Sequence, residues 1–69
     1  MPGHTYKHIE VTGSSTVSTD AAISSAIQEA AKTLSHLHWF EVVDTRGFIE
    51  DGKVKHWQAT IKIGFRLER

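Results

Sequence analysis

The two long runs that close the chain constrain its fold more than anything else in it. "WFEVVDTRGFI", Trp39 to Ile49, and "VKHWQATIKIGFRLE", Val54 to Glu68, both read as extended and are separated by "EDGK". Asp51-Gly52 in that linker suits a two-residue hairpin turn, which needs positive φ at its central positions. In the second run Trp57, Ala59, Ile61, Ile63, Phe65 and Leu67 alternate with His56, Gln58, Thr60, Lys62, Gly64 and Arg66. Period-two alternation sends the first set to one face and the second to the other. At ~3.3 Å per residue this strand could extend ~50 Å, whereas a compact chain of this length has a radius of gyration of ~11 Å. It must protrude or curl, and so long an open edge invites pairing unless another copy covers it.

The earlier residues supply a helix and one more strand. "YKHIEVT", Tyr6 to Thr12, alternates Lys7, Ile9 and Val11 against Tyr6, His8 and Glu10, the signature of a half-buried strand. "GSSTVST" then offers Gly13 for a turn and several hydroxyl N-caps, and Ala22, Ile23, Ala26, Ile27, Ala30, Ala31 and Leu34 recur at helical spacing. The serine-rich run lacks the glycine spacing and lysine of a phosphate-cradling loop, so capping accounts for it. The order is β-α-β-β, an α+β fold in a single domain spanning residues 1–69. A right-handed crossover makes strands one and two parallel, with strand three between them and antiparallel to both. The helix covers one face of this sheet; nothing in the chain remains to cover the other.

Composition enters through size and charge. A chain of 69 residues buries only ~60% of its unfolded surface. It has no cysteine, so disulfides and most zinc frameworks are excluded and oligomerisation is the remaining means of support. Eight basic residues balance eight acidic ones, which leaves no overall field for a nucleic-acid backbone or an anionic membrane. "MPGHTYKHIE" has no apolar core of signal-peptide length and no run approaches a membrane span. The expectation is a cytoplasmic homo-oligomer with neither nucleic-acid nor membrane partners. Five histidines are present, but His36 and His38 lack the carboxylate or cysteine spacing of metal ligands, and no metal site is expected.

Counting outward from a two-residue loop pairs Glu50 with Lys53, Thr45 with Gln58, Glu41 with Lys62 and Trp39 with Gly64. Trp57 then belongs to the apolar stripe as a core anchor. Trp39 stands on the polar side with Gln58, beside a glycine that leaves room above the sheet. From spacing alone two readings of Trp39 stand level: a subunit-interface tryptophan and a platform for a flat ligand. Gln58 tilts the choice toward the ligand, since an amide donates and accepts along a heterocycle edge while an indole stacks on its plane. The same count puts Arg46 opposite Trp57, on the helix side, unless a bulge intervenes.

"LHWFEVVDTRGFI", "HWQATIKIGFRLE", "YKHIEVTGSS", "AAISSAI" and the closing "GFRLE" together resemble the dodecins, small flavin-binding proteins, nearly end to end. The resemblance implies a subunit whose three-stranded sheet wraps around its helix, and a hollow homododecamer holding flavins in stacked pairs between subunits. It implies that Trp39 stacks on the isoalloxazine ring, Gln58 hydrogen-bonds its polar edge, and Asp44 contacts the ribityl chain. Arg46 matches an arginine associated with the phosphate of FMN, which a guanidinium suits by donating two parallel hydrogen bonds. Arg66 resembles a residue linked to coenzyme A. His38 and Trp57 depart from the family, which more often has aspartate at the first position and tyrosine or phenylalanine at the second; His38 makes pH-dependent binding conceivable. The function expected is storage, buffering and photoprotection of FMN or riboflavin without catalysis, since no poised acid, base or nucleophile accompanies Trp39 and Gln58. The alternatives are a flavin-dependent enzyme or electron-transfer protein, or a coenzyme A-binding scaffold.

Overall fold

Residues 3–67 are described by a computed structural model. Strand β1 (Tyr6–Ser15) leads to helix α1 (Thr19–Ala31), followed by β2 (Leu37–Glu50) and β3 (Lys53–Arg66). The sheet order is β1-β3-β2, and β3 is antiparallel to both its neighbours. This is the topology that the crossover argument requires.

Local chemistry explains the boundaries. Ser18 has extended backbone and its side chain accepts a hydrogen bond from the Ala21 amide at 3.0 Å, which satisfies one orphan donor of the first helical turn. The helix ends at Ala31, earlier than its apolar spacing suggests. Leu34 falls in the following turn, its amide bonded to the Ala30 carbonyl at 3.0 Å, yet it still packs on the core. β1 outlasts its apolar alternation because Gly13, Ser14 and Ser15 continue to pair with Ala59, Gln58 and Trp57. At the hairpin, Asp51 (φ 55°) and Gly52 (φ 73°) adopt the left-handed conformations of a primed turn, and Glu50 pairs with Lys53 as expected. The expected strand end at Glu68 lies outside the described residues.

The core is thin and lies between α1 and the middle of β3. Ala22, Ala26 and Ala30 meet Ala59, Ile61 and Ile63, all six buried, with Ile9, Val11, Ile23, Ile27, Leu34 and Leu37 around them. Small side chains let the helix approach closely. At Gly13 an added Cβ would overlap the Ala22 carbonyl and stand 2.9 Å from the Ala26 Cβ. Trp57, the sequence's core anchor, lies outside this buried cluster and is only part-buried within the chain. The physical reason is position: the alanine stripe of α1 meets Ala59, Ile61 and Ile63, and Trp57 sits one step beyond that contact on the way to the hairpin.

α1 packs on β1 and β3, and the outer half of the hairpin extends past it. Principal extents of 56 × 20 × 13 Å and a radius of gyration of 14.5 Å, against ~11 Å for a compact chain, record that protrusion. On the helix side of β2, Phe40 and Val42 remain nearly half exposed. Ile49 at the hairpin end is 79% exposed, more apolar surface than one helix of this length can cover.

Candidate functional site

The register of β2 against β3 decides which side chains share a face. Three residues of this pair stand without an opposite number. Leu37 opposes Phe65 and Trp39 opposes Gly64, leaving His38 as a bulge. Val42 opposes Ile61 and Asp44 opposes Thr60, which leaves Val43. Phe48 opposes His56 and Ile49 opposes Val54, which leaves Lys55 on β3. The bulges at Lys55 and Val43 lie on opposite strands, so the shift introduced by one is undone by the other. The uninterrupted count is therefore right at Glu50 and Ile49 and again from Val42 to Trp39, and wrong by one residue from Phe48 to Asp44. Arg46, not Thr45, stands opposite Gln58, and Thr45 opposes Ala59.

That shift has a chemical consequence. Opposed residues share a face, so Arg46 goes to the polar side with Gln58, and Asp44 joins it opposite Thr60. Trp39, Asp44, Arg46 and Gln58 all project from the face opposite α1. Without Val43 as an extra residue, Asp44 and Arg46 would point to the helix side while Trp39 did not.

Trp39 is held by a glycine. An added Cβ at Gly64 would overlap the indole at Cε2, Cζ2 and Nε1, so the ring lies across the backbone there and only glycine leaves the space. Its centroid is 6.3 Å from that of His8, which closes the same cross-strand row from β1, with 45° between the planes. The indole is 39% exposed, a large figure for a tryptophan on a sheet face. His38 sits beside Tyr6 at 5.3 Å between ring centroids. Arg66 opposes Tyr6 at the same end of the sheet, one step past Gly64, and its amide donates to the His36 carbonyl at 3.2 Å.

The second group lies at a distance. Arg46 donates from Nε and Nη2 to Asp44 Oδ2, at 3.1 and 2.7 Å. Both side chains are substantially exposed, so the pair contributes under ~1 kcal/mol. Beside them Thr60 and Thr12 share a hydroxyl hydrogen bond of 2.8 Å, and Ser14 flanks Gln58 from β1. The rows of Trp39 and Gln58 are six residues apart on β3, or ~20 Å. Within one chain these two side chains therefore share a face but not a place on it. Arg66 likewise stands with Trp39 rather than with Arg46.

Trp39 lines a cavity of about 150 Å³ together with Ile27, Leu37, His38, Phe40 and Ile63, on the helix side, below the ~300–1,000 Å³ of typical ligand sites. A wider cleft of about 500 Å³ runs between β1 and α1 past Thr12, Ser25, Glu29 and Thr33, on the opposite side of the sheet from the indole's exposed surface. Among the described residues no three metal-ligating side chains gather, and no helix is long and apolar enough to cross a membrane. Sequence reasoning missed His8 beside the indole and the stacked rings of Phe48 and His56. The first needed the β1 register, and the second was hidden by the bulge at Lys55.

The sequence profile of the family described as Dodecin matches residues 5–68. The chain belongs to the dodecin family. It is 47% identical over 66 residues to the dodecin of Thermus thermophilus, covering 96% of both chains. The structure of dodecin from Streptomyces coelicolor superposes with a TM-score of 0.92 at 51% identity, covering 100% of this chain and 99% of that one. Dodecin from Streptomyces davaonensis gives the same TM-score at 46% identity, with 99% and 100% covered. The three-stranded sheet around one helix is thus a dodecin subunit fold.

Proposed function

We propose that this chain binds a flavin in sites completed between subunits of a cytoplasmic homododecamer, and serves to store, buffer and photoprotect FMN rather than to catalyse a reaction on it. The observation that carries the reading is the pair of bulges at Lys55 and Val43, which together put Asp44 and Arg46 on the face that also bears Trp39 and Gln58. Stacking platform, amide and guanidinium are the groups that a tricyclic ring with a phosphorylated tail requires. Because Trp39 and Gln58 of one chain are ~20 Å apart, the Trp39 of one subunit stacks on a ring whose polar edge meets Gln58 of another. Family membership supports the same assembly, as do the uncovered Phe40 and Val42 on the helix side of β2.

In this site the indole provides a flat apolar surface, Gln58 pairs with the mixed donor and acceptor edge, and Arg46 meets the phosphate. Asp44 faces the tail's hydroxyls and tethers Arg46. Riboflavin fits the same ring contacts and lacks the phosphate contact, so FMN is preferred. In the same reading Arg66, at the opposite end of the sheet face, meets a second anionic ligand such as coenzyme A. An indole in contact with excited flavin donates an electron to it, which quenches the excited state; that is the photoprotective step.

A fluorescence-quenching titration with FMN tests the reading. Wild-type protein should quench flavin emission, Trp39→Ala should lose most of the affinity, and both should run at the same oligomeric size. Equal affinity in the two proteins would refute the assignment.

A further inference from the structure

Phe48 and His56 oppose each other one step beyond Arg46 and Gln58 on the same face of the sheet, and their rings stack with 4.5 Å between centroids and 19° between planes. Phe48 is 41% exposed, and the helix lies on the other side, so the chain's own core has no use for this ring. From Arg46 to Phe48 is two residues along β2, ~7 Å. We propose that the Phe48–His56 pair is a platform for the adenine of a dinucleotide flavin, with Arg46 holding the phosphate bridge; this rests on the flavin-binding reading given above.

The chemistry selects the occupant. A guanidinium recognises a phosphate through charge-assisted donors. A flat aromatic surface one residue pair further on recognises a base through its π face, whatever the base's edge pattern. The step between them is that of the sugar joining phosphate to base in a nucleotide. FMN ends at the phosphate and leaves the pair uncovered, whereas the dinucleotide FAD continues past Arg46 toward it. On the hairpin side of this pair the unpaired Lys55 meets Glu50 at 2.7 Å.

The assembled protein should be titrated with FMN and with FAD, in wild type and in Phe48→Ala, Phe48→Leu and Phe48→Tyr, with oligomeric size checked for each. Phe48→Leu keeps apolar bulk without a flat ring, and Phe48→Tyr keeps the ring. Both Ala and Leu variants should bind FAD about fivefold more weakly or worse, bind FMN within about twofold of wild type, and be rescued by Tyr. If FAD and FMN weaken together, or if FAD is indifferent to all three substitutions, the rings serve the hairpin alone and the adenine platform is overturned while the flavin site stands. If wild-type protein binds neither flavin, both readings fall.

Discussion

Gly64→Ala tests the proposed platform role of Trp39 because it moves the indole without removing it. The new methyl group would overlap three ring atoms, and the ring, 39% exposed, is free to swing outward. Relief by that motion keeps the stability cost near the low end of the ~1–3 kcal/mol typical of overpacking. Binding should suffer more. Of the ~250 Å² of an indole side chain, the exposed share is ~100 Å², and covering half to all of it with a ligand yields ~1.2–2.5 kcal/mol at ~25 cal/mol per Å². Aromatic stacking adds ~0.5–1.5 kcal/mol, so the displaced ring forfeits ~2–4 kcal/mol, an affinity loss of about thirtyfold or more. Flavin-fluorescence titration against wild type, with size-exclusion chromatography to confirm unchanged assembly, measures this. FMN affinity within about threefold of wild type in a correctly assembled Gly64→Ala protein would refute the idea that a ring seated on Gly64 is the binding surface.

Further predictions follow from individual contacts. Asp44→Asn releases the Arg46 guanidinium from its carboxylate and removes a like charge near the phosphate; at ~1 kcal/mol for unit charges 4 Å apart in water, the preference for FMN over riboflavin should rise two- to fivefold in titrations at low salt and shrink as salt is added. Gly13→Ala meets backbone of α1 rather than a side chain that can turn away, so the helix must lift from the sheet; chemical denaturation should show a loss of ~1–3 kcal/mol or more. Ile61→Ala, at a fully buried position, should cost ~2–5 kcal/mol. Trp57→Ala, only part-buried in the chain, should cost less per atom removed at the level of the subunit and show its main effect in assembly, read by light scattering at falling concentration.

Much of the fold is written in short-range pattern. The alternation of β3, the alanine stripe of α1 and the Asp51-Gly52 turn each act locally, and each appears where the residues indicate. The length of the hairpin already implied protrusion. What sequence alone left out is where the bulges fall, because a bulge is the resolution of a competition between strands. Val43 and Lys55 are ordinary strand residues with no glycine or proline to mark them, and their displacement shows only in the pairing. The count from the turn therefore pairs Trp39 with its observed neighbour, Gly64, but misplaces Arg46, which the bulges carry to the Gln58 side. Trp57 was misjudged for a related reason: alternation tells which face a side chain takes, but not how far along the strand the helix reaches.

Mixing two defective subunits tests the central claim, that each flavin site takes its indole from one chain and its amide from another. Trp39→Ala and Gln58→Ala subunits, each unable to bind FMN in a homogeneous assembly, are unfolded together, refolded in equal amounts and titrated with FMN. With sites built between subunits in a closed symmetric oligomer, random mixing leaves about a quarter of the sites with both side chains intact, and that fraction of wild-type capacity should return at wild-type affinity. If the site lies within a single chain, every chain in the mixture lacks one side chain, and recovery of no binding at all would contradict the account.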